Sequence, residues 1–332
     1  MKLLLTGGMG FIGSHTAVVL LEAGHDVVLY DNLSNADPSV LERIEIITGR
    51  RPTFIEGDIR NGQAMQSALA GIDAVIHFAG LKAVGESVSK PIEYYDNNVH
   101  GTLVLLDAMK KTGVRRLIFS SSSTVYGTPT QLPLTESCPT GEATNPYGRS
   151  KLHIEQILAD VCRSDPDFGV ICLRYFNPIG AHPSGLIGEN PNGIPNNLLP
   201  FVARVARGTL PCLKVFGYDY PTVDGTGVRD YIHVMDLADG HAKAVPYVMA
   251  HSGWIALNLG CGRGYSVLEV VKAFEKASGR HVPYELVERR EGDIAANWCD
   301  PSLAETLLSW KAVHTIDDMC RDAWRFEANK LE

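Results

Sequence analysis

The sequence predicts an α/β protein: a doubly wound parallel sheet, with a smaller mixed α/β lobe attached. Three observations carry this. Short apolar runs alternate with helix-patterned segments through residue 176. A glycine-rich turn joins the first apolar run to the first helical one. A stretch rich in Pro, Gly and Asn at 177–200 then breaks the alternation, and shorter mixed elements follow.

Residues 2–6 read as a buried strand and 11–23 as a helix stopped by Gly24. Strands follow at 26–30, 53–56 and 74–79. A long helix is predicted over 92–112, ending at Gly113, and a fifth strand over 116–121. Residues 146–164 form another helix and 170–175 a sixth strand. Apolar strands separated by helices imply a parallel sheet covered on both faces. The segment 177–200 reads as a long ordered loop, of a length that usually serves function. Beyond it come strands at 213–216, 256–259 and 282–287 and helices at 267–277, 302–308 and 316–328. Residues 1–176, rejoined by a return segment at about 230–258, are expected to form one domain. Residues 177–229 and 259–332 are expected to form the second lobe.

The chain of 332 residues is 45% hydrophobic and 20% charged, as in an ordinary soluble enzyme. Its net charge of -8 argues against a nucleic-acid partner, which would require local cation density. Seven scattered cysteines form no C-x-x-C pair, and the odd count excludes complete intrachain pairing. The apolar start is too short for a signal peptide, and no stretch approaches a membrane span. These features predict a cytoplasmic protein.

Between the first strand and first helix lies Thr6-Gly7-Gly8-Met9-Gly10-Phe11-Ile12-Gly13. The spacing G-x-x-G-x-x-G is a variant of the Rossmann dinucleotide fingerprint, in which glycines let a pyrophosphate approach a helix N-terminus. Alone it is weak. Asp31, 18 residues after Gly13, strengthens it, because a carboxylate there accepts from ribose hydroxyls. It would also repel a 2′-phosphate, and no Arg directly follows, which favours NAD over NADP. The third and fourth strands run into Gly57-Asp58-Ile59 and Phe78-Ala79-Gly80-Leu81-Lys82, at the same predicted edge. The competing reading, that Asp31 and Asp58 are turn residues, does not account for the βαβ context.

The fifth strand ends in Ser120-Ser121-Ser122-Ser123-Thr124, and the following helix carries Tyr147 and Lys151. Of the twelve tyrosines, only Tyr147 has Lys four positions on, which puts both side chains on one helix face. A free phenol, with a pKa of about 10, is a poor base at neutrality. Lys151 and a positive nicotinamide ring would both favour the phenolate, and Ser122 would hold the substrate hydroxyl. An ordinary amphipathic helix would explain Tyr147 and Lys151 by themselves, but not their company.

These segments, with GDIR, HFAGLKAVGES, YYDNNV, SSSSTVYG and NPYGRSK, resemble the extended short-chain dehydrogenase/reductase superfamily. With LRYFNPIGAHPSG, GIPNNLLPF, GTGVRDYIHVMDLADGH and RREGD, the chain resembles the UDP-glucose 4-epimerase family within it. The similarity spans nearly the whole chain and weakens after Asp300. It implies a tightly held NAD, with Tyr147 taking the C4 hydroxyl proton and a 4-keto sugar that swings to present its other face. It implies cofactor contacts from Gly7, Gly10, Phe11, Ile12, Gly13, Asp31, Asn32, Asp58, Ile59, Phe78, Ala79, Gly80, Lys82, Asn97, Tyr147, Lys151 and Phe176. For the UDP-sugar it implies Ser122, Asn177, Asn197, Leu198, Phe216, Arg229, Arg290, Asp293 and Asn297. A homodimer joined through the helices around 92–112 and 146–164 is implied as well. Two positions depart from the pattern. Arg149 stands where Lys is common and should face away. Asn297 stands where members restricted to plain hexoses carry Tyr, which implies room for N-acetylhexosamines.

His233, Asp236, Asp239 and His241 mimic a metal cluster but read better as a strand end and a capped helix, and no metal is expected. No G-x-S-x-G elbow marks a hydrolase. A nucleotide-sugar 4,6-dehydratase would need an acid and base beside Ser122, commonly Asp-Glu, where this chain has Ser123-Thr124. A UDP-glucuronate 4-epimerase stays open, since cations for a sugar carboxylate cannot be located from sequence. The intact Ser122, Tyr147 and Lys151 argue against a catalytically idle NAD-binding regulator.

Overall fold

The computed structural model describes residues 1–191, 193–290 and 293–330. The first half lays down β1 (Lys2–Thr6), α1 (Phe11–Glu22), β2 (Asp26–Asp31), α2 (Val40–Thr48), β3 (Thr53–Glu56), α3 (Gly62–Ala68) and β4 (Ala74–His77). It continues through α4 (Val84–Ser89), α5 (Pro91–Tyr94), a π-helical segment (Tyr95–His100), α6 (Gly101–Thr112), β5 (Arg116–Ser122), α7 (Pro146–Ser164) and β6 (Gly169–Tyr175). In the second half come β7 (Asn177–Ile179), α8 (Leu198–Arg207), β8 (Leu213–Phe216), β9 (Val228–His233), α9 (Val234–Ala250), β10 (Gly253–Leu259) and β11 (Gly264–Ser266). The chain ends with α10 (Val267–Ser278), β12 (Tyr284–Val287), β13 (Ala296–Asn297), α11 (Ser302–Leu308) and α12 (Ile316–Asn329).

Seven parallel strands form the main sheet in the order β10-β6-β5-β4-β1-β2-β3. Strand order reverses between β1 and β4, and the crevice outside their carboxyl ends is where such sheets bind ligands. The two-residue period of a strand splits the core. Leu3 and Leu5 pack on one face with residues of α1 and α9, while Leu4 packs on the other with residues of α3, α6 and α7. A third cluster joins α8, α10 and α12. A small sheet groups β7, β9, β11 and β13, and β8 pairs with β12. All seven cysteines are free. Cys172 in β6 and Cys299 just after β13 are fully buried, and burial pushes both thiols well up.

Three expectations need correction. The helix expected over 92–112 is interrupted by the π segment, whose extra residue brings Asn98 to the loop after β4. The expected loop 177–200 contains β7 and the start of α8. A three-residue strand whose partner lies some fifty residues on leaves no local pattern. The fourth strand stops at His77, two residues early, where the chain turns over β1. Periodicity also did not single out α2 or α3.

Candidate active site

The glycine turn is shaped by what a side chain would hit. Gly7 has φ +68°, and a Cβ there would lie 2.7 Å from Ala79 N. At Gly13 a Cβ would run into the Gly7 carbonyl oxygen. At Gly10 it would meet only that oxygen, at 3.3 Å, so the approach to α1 stays open. Gly10 caps α1 without a side-chain hydrogen bond, leaving the first N–H groups free for an anion. Asp31 is held at the rim, accepting from Met9 N (3.1 Å) and Leu33 N (2.9 Å). Burial raises its pKa against those two amides, which lower it. Asn32 donates to Asp58 at 3.3 Å, and Asp58 is gripped by Arg60, whose hydrogen bonds hold its pKa well below the usual carboxylate range. Uncapped helix N–H groups beside a fixed carboxylate fit the pyrophosphate and ribose of a dinucleotide.

The loop after β4 forms the opposite wall. Ala79 N donates to Thr6 O at 3.0 Å. Asn98, fully inside, accepts from Leu81 N (2.8 Å) and donates to Leu81 O (3.0 Å) and Ser150 Oγ (3.2 Å). It thereby ties this loop to α7, and Asn97 donates to it at 2.9 Å. A Cβ on Gly80 would lie 3.8 Å from Lys151 Nζ, so the loop's small residue faces the lysine. Phe78 packs at 4.8 Å from the His241 ring. The side chains of Ile59 and Phe176 are buried in core clusters.

The start of α7 positions the reactive pair. Asn145 caps it by accepting from Gly148 N at 2.9 Å, and Pro146 takes the first turn, where its missing N–H costs nothing. Lys151 is 4% exposed, donates to Ser120 O at 2.6 Å and sits 6.0 Å from the centre of the Tyr147 ring. Burial pulls its ammonium down to about 8. The Tyr147 phenol is pushed up by burial, against a downward pull from the Ser122 hydroxyl. The expectation joins two cations, Lys151 and a nicotinamide ring; in the chain without cofactor Lys151 is directed at Ser120 O, and desolvation wins. Ser122, at the end of β5, accepts from Thr124 N (3.2 Å) and Thr124 Oγ1 (3.0 Å). Arg149 is exposed and donates to Ala143 O, away from the pair as expected.

The other predicted residues gather in three places. Arg290 stacks 4.6 Å from the Phe216 ring centre and pairs with Asp293 at 3.0 Å. Glu291 and Gly292 of the same RREGD segment lie outside the described residues. Asn297 pairs with Arg229 in the small sheet and donates to Ser123 Oγ at 3.4 Å. Its Oδ1 is buried without a partner among the described residues. Asn177 opens β7, and Asn197 and Leu198 open α8. The cluster-like run instead disperses: His233 caps α9 by accepting from Met235 N, Asp236 binds His314, and His241 meets Tyr175.

Several residues of the site escaped sequence reasoning. Asn98 adjoins Asn97 in YYDNNV, and only the π segment separates their roles. Glu155 and Arg174 form a bidentate ion pair under β5, with Arg174 Nε 3.0 Å and NH2 2.6 Å from the carboxylate. Ser121 Oγ donates to Glu155 at 2.5 Å. Asp230 lies beneath Arg229, accepting from Cys261 N (2.7 Å) and Gly262 N (3.0 Å), and burial pushes it up to about 6. Glu189 carries no motif at all.

Residues 3–260 match the NAD dependent epimerase/dehydratase family. The chain is 57% identical to UDP-glucose 4-epimerase of Erwinia amylovora, over 99% of this chain and 98% of that protein. It is 56% identical to UDP-glucose 4-epimerase of Bacillus subtilis (strain 168), over 100% and 98%. The structure of UDP-glucose 4-epimerase from Bifidobacterium longum in complex with NAD+ and UDP superposes with a TM-score of 0.97, at 56% identity, covering 100% of this chain and 99% of that one. Likeness of this depth along the entire chain has one meaning: it belongs to the NAD dependent epimerase/dehydratase family, in its UDP-glucose 4-epimerase group.

Proposed function

We propose that the protein reversibly inverts carbon 4 of a UDP-hexose, interconverting UDP-glucose and UDP-galactose through a transient 4-keto sugar with NAD as bound cofactor. The observation that carries this is the convergence of Tyr147, Lys151 and Ser122 beside the loop that closes over the Gly7 turn. NAD supplies the acceptor for the C4 hydride and its return. The Gly7, Gly10 and Gly13 turn, with Phe11 and Ile12, would cradle its pyrophosphate, and Asp31 and Asn32 its adenosine ribose. Asp58, Ile59, Phe78, Ala79, Gly80, Lys82, Asn97 and Phe176 complete that wall.

Tyr147 takes the C4 hydroxyl proton as the sugar is oxidised and returns it when the opposite face is reduced. Ser122 holds that hydroxyl, and Lys151 supplies the positive charge that favours the phenolate once a second cation lies near. Inversion demands a ligand fixed at one end and free at the other. Phe216, Arg229, Arg290 and Asp293 would fix the UDP end, with planar guanidinium groups suited to a diphosphate. Asn177, Asn197 and Leu198 would line its path. Residues 1–176 with 230–258 would thus serve the cofactor, and 177–229 with 259–332 the sugar nucleotide.

Asn297 extends the reading to UDP-GlcNAc and UDP-GalNAc, because a small side chain beside Ser123 leaves room for an N-acetyl group. A homodimer is the proposed assembly. It is supported by a groove of about 690 Å³ lined by Tyr95, Val99, Leu103, His153 and Ile157, with Ile92 82% exposed at its edge. Sedimentation of the purified protein decides this, a monomer at micromolar concentration ruling it out.

The direct test incubates purified protein with UDP-galactose and, separately, UDP-GalNAc, without added NAD. C4-inverted products are expected from both. Absence of the N-acetyl product alone removes the extension. Tyr147→Phe should lower turnover by about 10²- to 10⁴-fold while fold and NAD binding survive; unchanged turnover would refute the mechanism.

A further inference from the structure

Glu189 lies in the segment between β7 and α8, 9% exposed, where the two walls of the cleft meet. Its Oε1 accepts from Lys82 Nζ at 3.0 Å and from Asn197 Nδ2 at 2.6 Å. Lys82 belongs to the loop after β4, on the cofactor wall. Asn197 precedes α8, on the sugar-nucleotide wall. One oxygen thus joins two side chains that the fold brings from opposite halves, 107 and 8 residues away in sequence.

The behaviour of Asn197 sets the contact apart from incidental packing. It occupies the N-cap of α8, where an Asn side chain ordinarily accepts from the helix's first N–H groups. Here it makes no capping hydrogen bond, and its amide is turned to Glu189 instead. The helix forgoes its cap and the asparagine gains a fixed orientation. The carboxylate is equally committed: Oε2 is buried with no donor among the described residues, so its charge is balanced through Lys82. Loss of either neighbour would leave a buried carboxylate poorly served, which makes the three groups a unit.

We propose that Glu189 is a positioning residue that couples the cofactor wall to the sugar-nucleotide wall by holding Lys82 and Asn197 on one carboxylate oxygen. Disturbance at Lys82 is therefore felt at Asn197, and UDP affinity depends on a residue of the opposite wall. This rests on the epimerase reading of the same cleft.

The test uses the NAD-loaded enzyme and UDP as probe. UDP affinity is measured by calorimetry, and NAD loss by absorbance after repeated gel filtration. Glu189→Gln keeps the shape and removes the charge. It should weaken UDP binding about tenfold and also speed NAD loss. In the Glu189→Gln background, Asn197→Ala should cost much less UDP affinity than it does alone, a non-additivity that general loosening would not produce. Should Glu189→Gln not fold, Lys82→Met serves: a change on the cofactor wall should weaken UDP binding several-fold. UDP affinity within twofold of the parent in the folded variant used, or additive Glu189 and Asn197 effects, overturns the proposal. Failure of the parent enzyme to hold NAD or bind UDP would instead count against the epimerase reading.

Discussion

Lys151 is a cation kept where its charge is costly. Burial lowers its pKa from 10.5 to about 8, so at pH 7 the ammonium persists in a site that disfavours it. Between pH 8 and 10.5 the unfolded chain binds the extra proton, and the penalty fades as pH rises through that window. At neutrality it is on the order of 3 kcal/mol. Lys151→Met should therefore raise the melting temperature of the cofactor-free protein while cutting turnover by about 10²-fold or more. A lower melting temperature would show that the hydrogen bond to Ser120 O outweighs the desolvation. Tyr147 shows the same trade in milder form. Its phenol is raised by burial in the chain alone, and the chemistry waits on charge brought by the ligand.

At the level of elements, β5 is held at two points. It carries Ser120, Ser121 and Ser122, and from below Ser121 is bound to the Glu155–Arg174 pair. Arg174 also donates to Tyr126 OH at 2.9 Å. Both partners of the pair are essentially without solvent, so removing one strands the other. Arg174→Met should destabilise the protein by about 3–5 kcal/mol in urea titrations, and a loss below 1 kcal/mol would contradict this. What could be read beforehand follows the same division. Elements whose signal is local were legible: α7 begins at Pro146 and ends at Ser164 as its periodicity demands, and β1, β3 and β8 match residue for residue. Elements defined by remote pairing were not, as with β7 against β9. In the site, residues in spaced motifs stood out. Glu155, Glu189 and Asp230 are single carboxylates, each tied to at least one partner 19 or more residues away, and no spacing records them.

The molecule as a whole keeps several imidazoles neutral inside it. Burial holds His15 and His77 down to about 3 and His241 to about 4, against an ordinary 6.5. Below pH 6.5 the unfolded chain therefore binds more protons, and stability falls as pH drops. Asp230, pushed up to about 6, works in the opposite sense and offsets one of the three. Near pH 5 the net slope is about 3 kcal/mol per pH unit, so urea midpoints should drop steeply between pH 6 and 5. A flat profile would contradict the burial of these rings. The enclosed thiols have a different use. Cys172 lies in the large sheet and Cys299 beside the small one, both sealed from reagents in the folded state. Alkylation at either must wait for its surroundings to open, so the order of labelling under mild denaturant reports which half comes apart first. The protein carries two built-in clocks for its own disassembly.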